Sequence, residues 1–429
     1  MSQPPSPQAT APSPVWRLSD TPSLVFRHPL HNQHLYGGLA WDPGRPVLRY
    51  LEGGTVHTLD LTTAVTAAWR DRPLDAVLVS PDGRTFATAE LSRPGLGSPG
   101  GAPAGSGYTF ELRATRDGRL IRSLPPLPVS PDSGLPLMSY SSDGCSLVYG
   151  LSTPGGRAAP QRFTVWNVSG NRARGSVDLS ATASGAAVVA VALAPGGRTL
   201  YTTRTPAVGE LSNEAWDTVS GRRKGAATDS RLTSTHLVVR PDGRLIVGDD
   251  RVARLPDGPG TARDLVQGEQ ISALAFSLDG RVLAASDRTG RVALWDGELR
   301  HRAGILRNVF PSSLGGSAPE EVSALALSPD GRTLAVGGDT GTLQLWDTLT
   351  QQPLGGPLPT PGEAVESLAF SADSSTLYAG GAHVLLQRYT VDPEQAVEQI
   401  CARAGSSNLT RAQWRTYVPE AAYREVCGD

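Results

Sequence analysis

The stretch from Ser323 to Asp347 reads SALALSPDGRTLAVGGDTGTLQLWD, and two neighbouring stretches repeat its pattern. They are SALAFSLDGRVLAASDRTGRVALWD from Ser272 and ESLAFSADSSTLYAGGAHVLLQRYT from Glu366. Each copy predicts a strand, a tight turn, a second strand, a hairpin turn and a third strand, because short apolar β-prone runs alternate with turn residues. Copies at a regular spacing predict an array of equivalent small sheets.

The tight turn is most explicit at Ser328-Pro329-Asp330-Gly331. Proline presets φ, aspartate bonds back to the backbone, and glycine accepts a positive φ. Weaker versions recur, and the eight turns lie at positions 42, 82, 143, 196, 242, 279, 330 and 373. A four-stranded propeller blade needs about 40 to 50 residues. The sequence therefore predicts an all-β fold, an eight-bladed β-propeller of four-stranded antiparallel blades, with seven blades as the alternative if one weak unit is only a loop. The fifth unit is the least regular.

Four of the third strands end in Trp followed by Asp or Asn. The pairs are Trp166-Asn167, Trp216-Asp217, Trp295-Asp296 and Trp346-Asp347. We expect each Trp to fill the wedge between neighbouring sheets, and the polar residue after it to start the turn to the outer strand.

In these features the chain resembles the WD-repeat propellers, from roughly Leu24 to Val391. The Gly-His dipeptide that usually precedes each repeat is absent, so the family's Asp-His-Ser-Trp hydrogen-bond network is not carried over to any blade. In WD-repeat proteins the N-terminal segment commonly supplies the outer strand of the last blade. The resemblance therefore implies that Ser23 to Arg27 pairs with the strand containing Leu385 to Tyr389.

The two ends differ in composition from the repeats. Residues 1–22 begin with a proline-rich stretch that is typical of a disordered tail, residues 23–391 form the predicted propeller, and residues 392–429 form a helical tail. Asp392-Pro393 is a helix start, and Thr410 to Gln413 is a capping box that opens a second short helix.

The helical tail resembles one found after the propellers of bacterial multidomain signalling proteins, including signal-transduction ATPases with WD repeats. The matching positions are Cys401, Leu409-Thr410, Trp414, Tyr423 and Cys427, with Gln413 where an acid is usual. The resemblance implies a bacterial protein. Cys401 and Cys427 could pair and staple the tail. Because three cysteines in a chain of 429 residues are typical of a reducing compartment, two buried thiols are the favoured alternative.

Charge and hydropathy exclude several classes of partner. The net charge is -2, without a long run of either sign, so neither a nucleic-acid footprint nor a polybasic membrane patch is indicated. The start of the chain lacks the pattern of a secretory signal, and no stretch reaches the length of a membrane span. These features predict a soluble cytoplasmic protein.

No catalytic, cofactor-binding or metal-binding residues are predicted. The array of His28, His31 and His34 lies beside a proline that prevents a helix from presenting all three on one face, so a loop is favoured over a zinc site. The Gly95 to Gly100 stretch matches G-x-G-x-x-G without a following helix and is interpreted as a linker. The acid pairs Glu320-Glu321 and Asp249-Asp250 are interpreted as solvated turns.

The leading functional hypothesis is a non-catalytic scaffold that presents its loops and channel rim to a protein partner in a bacterial signalling system. The segments Arg93 to Gly107 and Asn308 to Glu321 are the predicted contact surfaces. The alternative is a lactonase-like propeller hydrolase, which would gather carboxylates, Asn and His around a divalent metal in the channel. A periplasmic propeller like that of the Tol system would need an export signal. The sequence leaves the oligomeric state open.

Overall fold

A computed structural model describes the chain in segments separated by short gaps. The described residues are 11–17, 23–30, 39–45, 47–52, 55–60, 69–70, 72–92, 107–129, 134–152, 161–179, 187–205, 212–226, 232, 234–256, 258–268, 270–310, 320–358, 360–403, 408–417 and 421–427.

Seven antiparallel sheets, whose strands pair in chain order, form the blades. Blade 1 comprises β6 (Ala76–Val79), β7 (Thr85–Ser92), β8 (Gly107–Ala114) and β9 (Leu120–Pro128). Blade 2 comprises β10 (Pro136–Tyr140), β11 (Ser146–Leu151), β12 (Arg162–Asn167) and β13 (Arg172–Asp178), and blade 3 comprises β14 (Ala187–Leu193), β15 (Thr199–Thr205), β16 (Ser212–Asp217) and β17 (Arg223–Ala226). Blade 4 comprises β18 (Val238–Val239), β19 (Leu245–Val247), β20 (Arg251–Arg254) and β21 (Gly260–Ala262). Blade 5 comprises β22 (Ile271–Phe276), β23 (Val282–Asp287), β24 (Val292–Asp296) and β25 (Arg302–Leu306). Blade 6 comprises β26 (Val322–Leu327), β27 (Thr333–Gly338) and β28 (Leu343–Asp347). Blade 7 comprises β29 (Ser367–Phe370), β30 (Thr376–Gly380) and β31 (Gln387–Thr390).

The apolar core lies between the blades rather than at the centre of the ring. Among the described residues, one buried cluster joins each pair of neighbouring blades, including the last blade and the first. That last cluster packs Val77, Val79 and Phe86 of blade 1 against Ala369 of blade 7. The ring therefore closes with seven blades: the predicted eight blades are wrong, and the seven-bladed alternative is confirmed.

The first sequence unit forms a sheet of its own. β3 (Leu39–Trp41), β4 (Val47–Glu52) and β5 (Thr55–Asp60) pair with one another. The tight turn forms as predicted, with the Gly44 amide donating to Asp42 Oδ1 at 3.1 Å. Leu39 and Trp41, however, are 47% and 52% exposed, whereas every residue of β29 is buried. A first strand this exposed is not the inner strand of a blade, which is why the matching turn does not indicate an eighth blade.

The N-terminal strands pair with each other. β1 (Ala11–Arg17) lies antiparallel to β2 (Ser23–Leu30), with Val15 opposite Phe26. The predicted pairing of Ser23 to Arg27 with the strand of blade 7 is therefore wrong. β1 also falls inside the stretch predicted as a disordered tail, of which residues 1–10 and 18–22 lie outside the described residues.

The tight turns between first and second strands follow the predicted chemistry. In blade 6, Gly331 has φ +70°, and Asp330 Oδ1 accepts the Arg332 amide at 3.1 Å. Ser328 adds a contact that the sequence analysis missed, because its hydroxyl donates to Asp330 at 2.5 Å and accepts the Thr333 amide at 2.9 Å. The same serine-aspartate contact recurs in blades 1, 2, 5 and 7.

The Trp-Asp pairs also act as predicted. The indoles of Trp166, Trp216, Trp295 and Trp346 are 3% to 8% exposed and pack in the interblade clusters. The aspartate that follows accepts main-chain amides of the hairpin turn: Asp217 Oδ1 binds the amides of Val219 and Ser220 and the Ser220 hydroxyl. Local turn chemistry thus repeats faithfully from blade to blade.

These turn bonds predict an acid-sensitive contribution to stability. The amide and hydroxyl of Ser220 lower the pKa of Asp217 to about 2, below the value of about 3.9 in an unfolded chain. The contribution is therefore present above about pH 4 and is lost as the pH falls through about 2. We expect Asp217→Asn to flatten the pH dependence of the free energy of unfolding in this window, as measured by denaturant titrations at pH 2 to 7. Asparagine fits this turn, as Asn167 shows at the same position of blade 2. An unchanged dependence of the unfolding free energy on pH would contradict the role given to Asp217.

The C-terminal tail contains the two predicted helices, α1 (Pro393–Arg403) and α2 (Arg411–Tyr417). Asp392 Oδ1 caps α1 by accepting the amides of Glu394 and Gln395. Thr410 and Gln413 form the predicted capping box, with each side chain accepting the other residue's amide. None of the described helices is both long and apolar enough to cross a membrane.

Cys401 and Cys427 form a disulfide, so the expectation of two thiols is wrong. Asn408 holds the Cys427 end of the bond, because its side-chain oxygen accepts the Val426 and Cys427 amides and its nitrogen donates to the Cys427 carbonyl. The Cα atoms lie 5.3 Å apart, within bonding range. Disulfides are typical of oxidising compartments, so this bond counts against the cytoplasmic location, which stays a prediction.

Removing this bond should loosen the tail. The bond closes a separation of 26 residues, for which the unfolded-chain model gives about 3 kcal/mol. We expect Cys401→Ser to speed hydrogen exchange at the Asn408, Val426 and Cys427 region without changing exchange in the propeller strands. Cys145→Ser, which removes an exposed free thiol, is the matched control and should change neither. Equal exchange in both variants would show that the helices and Asn408 suffice to hold the tail.

Candidate functional site

The seven first strands surround a central channel of about 430 Å³. They begin at one end of the ring, here called the entry face, and finish in the tight turns at the other end, the turn face. Ser141 and Leu193, at the ends of the first strands of blades 2 and 3, pair in parallel, as this arrangement requires. Every blade contributes residues to the channel wall, so the channel exists only in the closed ring.

Most of the channel wall is apolar. Half-buried side chains along its length include Leu78, Met138, Leu274 and Phe276. Pro81, Leu278 and Phe370 line it towards the turn face. A wall of this composition in a channel of this size resembles ordinary small-molecule sites, which are mostly apolar with a few placed polar groups.

The polar groups of the wall lie mainly at the entry face, where the first strands begin. They are Thr235 and His236 before β18, Ser272 on β22, Ser323 on β26 and Glu366 before β29. Two of the hydroxyls are engaged within the protein, because Ser323 donates to the Val365 carbonyl at 2.7 Å and Ser272 lies 3.0 Å from the Ser286 hydroxyl. The charged and most of the polar side chains of the wall therefore lie at the entry face, and Ser139, Tyr140 and Ser142 add hydroxyl groups farther along the channel.

His236 is fixed by an acid of its own blade. Its Nδ1 lies 3.0 Å from Asp249 Oδ1, and the same carboxylate accepts the His236 amide and the Thr235 amide and hydroxyl. The interpretation of Asp249 as part of a solvated turn is therefore incomplete, since this side chain joins the start of the first strand to the end of the second.

Acids before the first strand hold the same junction in other blades. Asp75 accepts the Leu91 amide in blade 1, Glu320 accepts the Thr340 and Thr342 amides in blade 6, and Glu363 accepts the His383 and Val384 amides in blade 7. These carboxylates bind backbone in a sequence that lacks the family's Gly-His dipeptide. The sequence signal in these three blades is an acid one to four residues ahead of the first strand, and for Glu320 it was interpreted as part of a solvated turn.

The ring closes along a seam between blades 7 and 1. Glu366 Oε2 accepts the Val77 amide at 3.1 Å, and Ser367 Oγ accepts the Val79 amide at 2.9 Å. Nearby, the Trp69 and His383 rings stack at 4.3 Å. Hydrogen bonds between residues almost 300 positions apart thus supplement the small apolar cluster at this interface.

Glu366 is the charged group of the channel wall. Burial raises the pKa of its carboxyl, the Val77 amide opposes that shift, and the nearby charges of Glu363 and Asp75 add to it. Among the described residues that line the channel, Glu366 is the only carboxylate, and the lining contains no lysine or arginine. Its other oxygen, Oε1, accepts no hydrogen bond from a described residue.

The other two histidines whose side chains the structure describes, His383 and His301, lie at two different places. His383 belongs to the seam, where its Nδ1 lies 2.7 Å from the Arg70 carbonyl, and His301 is bound to Asp296 at an exposed hairpin. His28 lies in β2, and His31, His34 and the Gly95 to Gly100 stretch lie outside the described residues. The described part of the chain contains no group of three or more His, Cys, Asp or Glu side chains placed to bind a metal.

Two segments of the chain match the family model of the WD domain, G-beta repeat, at residues 265–296 and 309–347. The first spans the three inner strands of blade 5, and the second spans those of blade 6. Blades 5 and 6 are thus similar to WD repeats. With the closed ring, they support a WD-repeat propeller, a fold that is commonly a protein-interaction scaffold. None of the curated proteins matches the chain. The bacterial origin and the likeness of the tail to that of signalling ATPases stay predictions.

Proposed function

We propose that this WD-repeat propeller is a non-catalytic scaffold that binds a protein partner on its entry face, in a bacterial signalling system. The observation that supports the proposal is the position of the described residues on either side of the two segments predicted to make contact. Ser92 and Gly107, which end β7 and begin β8, lie at the entry face of blade 1. Phe310 and Glu320, which flank residues 311–319, anchor the connection from blade 5 to blade 6 at the same face.

The rigid ring explains why such a surface would bind well. Connections anchored in packed blades keep a set spacing, so docking orders fewer groups and loses less entropy. The turn face offers short, tightly hydrogen-bonded turns instead, such as the Ser328 to Thr333 turn. The long connections, to which binding surfaces usually belong, are therefore concentrated at one end.

Affinity purification of the tagged full chain at native expression, with quantitative mass spectrometry, tests this proposal. Replacing residues 95–105, or residues 311–319, by a short Gly-Ser linker should abolish recovery of the partner. The matched control is Leu349→Ser, which changes an 87% exposed residue on the turn face and should leave recovery unchanged. Recovery that survives both deletions refutes the assignment. A partnerless protein that carries a stoichiometric divalent ion would favour the lactonase-like alternative.

A further inference from the structure

The central channel contains one acid whose charge is not balanced by the wall around it. Glu366 faces the channel near the entry face, and its Oε2 accepts the Val77 amide at 3.1 Å. The acids nearest to it, Glu363 and Asp75, are engaged with backbone amides and repel its charge. Among the residues that the structure describes, no lysine or arginine lines the channel.

This arrangement selects the charge of a ligand. A carboxylate beside apolar surface is costly to desolvate unless a positive group or hydrogen-bond donor meets it. An anion would be repelled by Glu366, Glu363 and Asp75, and a neutral apolar molecule would bury the carboxylate without a partner. A cation in the channel would meet one acceptor oxygen without competition from a protein cation, and the low-dielectric wall would strengthen the attraction.

The wall selects the rest of the ligand. Leu78, Met138, Leu274 and Phe276 present half-buried apolar surface along the channel, and Phe370 continues it towards the turn face. A single carboxylate suits one positive charge rather than several, and a bare metal ion would need more oxygen ligands than this wall provides. The wall thus offers one carboxylate at the entry face and apolar side chains, interrupted by a few hydroxyl groups, along the rest of its length, which suits an amphiphilic ligand.

We propose that the channel binds a small monocationic amphiphile, with its ammonium group at Glu366 and its apolar body along Leu78, Met138, Leu274 and Phe276. This site lies inside the ring and does not depend on the protein partner proposed for the entry face. The channel volume of about 430 Å³ is within the range of ordinary small-molecule sites.

Isothermal titration of the full chain at pH 7 with three probes of equal length tests the charge preference. Octylamine should bind at least tenfold more tightly than octanol, and octanoate should not bind. Glu366→Gln keeps an oxygen for the Val77 amide, so it should leave the melting temperature close to that of the parent chain and remove the preference for the amine. Glu111→Gln, which removes an acid paired with Arg113 outside the channel, is the control and should bind octylamine like the parent.

A second measurement locates the site without a variant. An alkyl diazirine that carries a primary amine should, after irradiation, label peptides containing the channel residues Met138, Leu274 or Phe276. Equal affinity for octylamine and octanol, an unchanged preference in Glu366→Gln, an equal loss in Glu111→Gln, or labelling confined to exposed positions such as Trp41 or Leu349 would each overturn the proposal. Absence of binding by all three probes would overturn it as well.

Discussion

Gly83→Ala is expected to destabilise the propeller far more than Gly331→Ala does. Both glycines occupy the same position of the tight turn, with φ +66° and +70°, and both carbonyls accept a threonine hydroxyl from the following hairpin turn. A Cβ on Gly83 would lie 2.3 Å from the main-chain oxygen of Phe370 in blade 7, whereas a Cβ on Gly331 would meet nothing within 4 Å. Comparing the two variants therefore separates the cost of backbone strain from the cost of a clash between blades 1 and 7.

Backbone strain at a positive φ costs about 1 to 2 kcal/mol in either variant. Overpacking against fixed backbone adds about 1 to 3 kcal/mol, and only Gly83→Ala incurs it. We expect a total of about 4 kcal/mol for Gly83→Ala, measured by equilibrium denaturation monitored through tryptophan fluorescence. Hydrogen exchange at the Val77 and Val79 amides should rise in this variant alone. Equal destabilisation of the two variants would contradict the close approach of blades 1 and 7.

Glu214→Gln should also cost about 4 kcal/mol, because it removes the charge of a buried carboxylate that is paired with a buried guanidinium. The side chain of Arg204 is 1% exposed and that of Glu214 is 5% exposed, and their nearest atoms lie 3.5 Å apart. Arg204 also donates to Gln161 Oε1 at 2.7 Å, and Trp216 Nε1 donates to Glu214 Oε2 at 3.2 Å. Removing one partner of a buried ion pair costs about 3 to 5 kcal/mol, because the attraction that offset the desolvation of the remaining charge is lost.

The matched control is Glu321→Gln, which breaks an exposed pair with Arg288. The two side chains are 36% and 62% exposed, and pairs of this kind contribute about 0 to 1 kcal/mol. Denaturant titrations of both variants against the parent chain give the difference directly. A change of less than about 1 kcal/mol in Glu214→Gln would show that Gln161 and water suffice to satisfy Arg204.

Both of these predictions concern interfaces between blades, on which the channel also depends. Arg204 and Glu214 both belong to blade 3, but Arg204 also reaches Gln161 of blade 2. The Gly83 contact lies at the seam between blades 7 and 1. Because the channel wall is assembled from all seven blades, loosening either interface should widen the channel that contains Glu366. Stability of the ring and ligand binding in the channel are thus expected to change together.

The sequence by itself determined the local units. The Ser328 to Thr333 turn, the buried Trp216 with the turn bonds of Asp217, and the cap of Asp392 on α1 formed as predicted. Their bonds join residues only a few positions apart, so residue type and spacing suffice to specify them. The sequence also indicated that the fifth unit is the least regular. This unit forms blade 4, whose strands are only two to four residues long.

Only the tertiary structure decided the number of blades and how the ring closes. The turn at Asp42 has the residues and hydrogen bonds of a blade turn, yet its sheet stays outside the ring. A sheet belongs to the ring only when residues distant in sequence bury its first strand. Closure uses Glu366 and Val77, which are 289 positions apart, and no periodicity indicates which strand meets which. The disulfide likewise joins Cys401 to a residue 26 positions away, beside contacts of Asn408 with Cys427 that spacing alone does not indicate. Properties that depend on contacts between distant segments, including the charge of the channel, could not be derived from spacing.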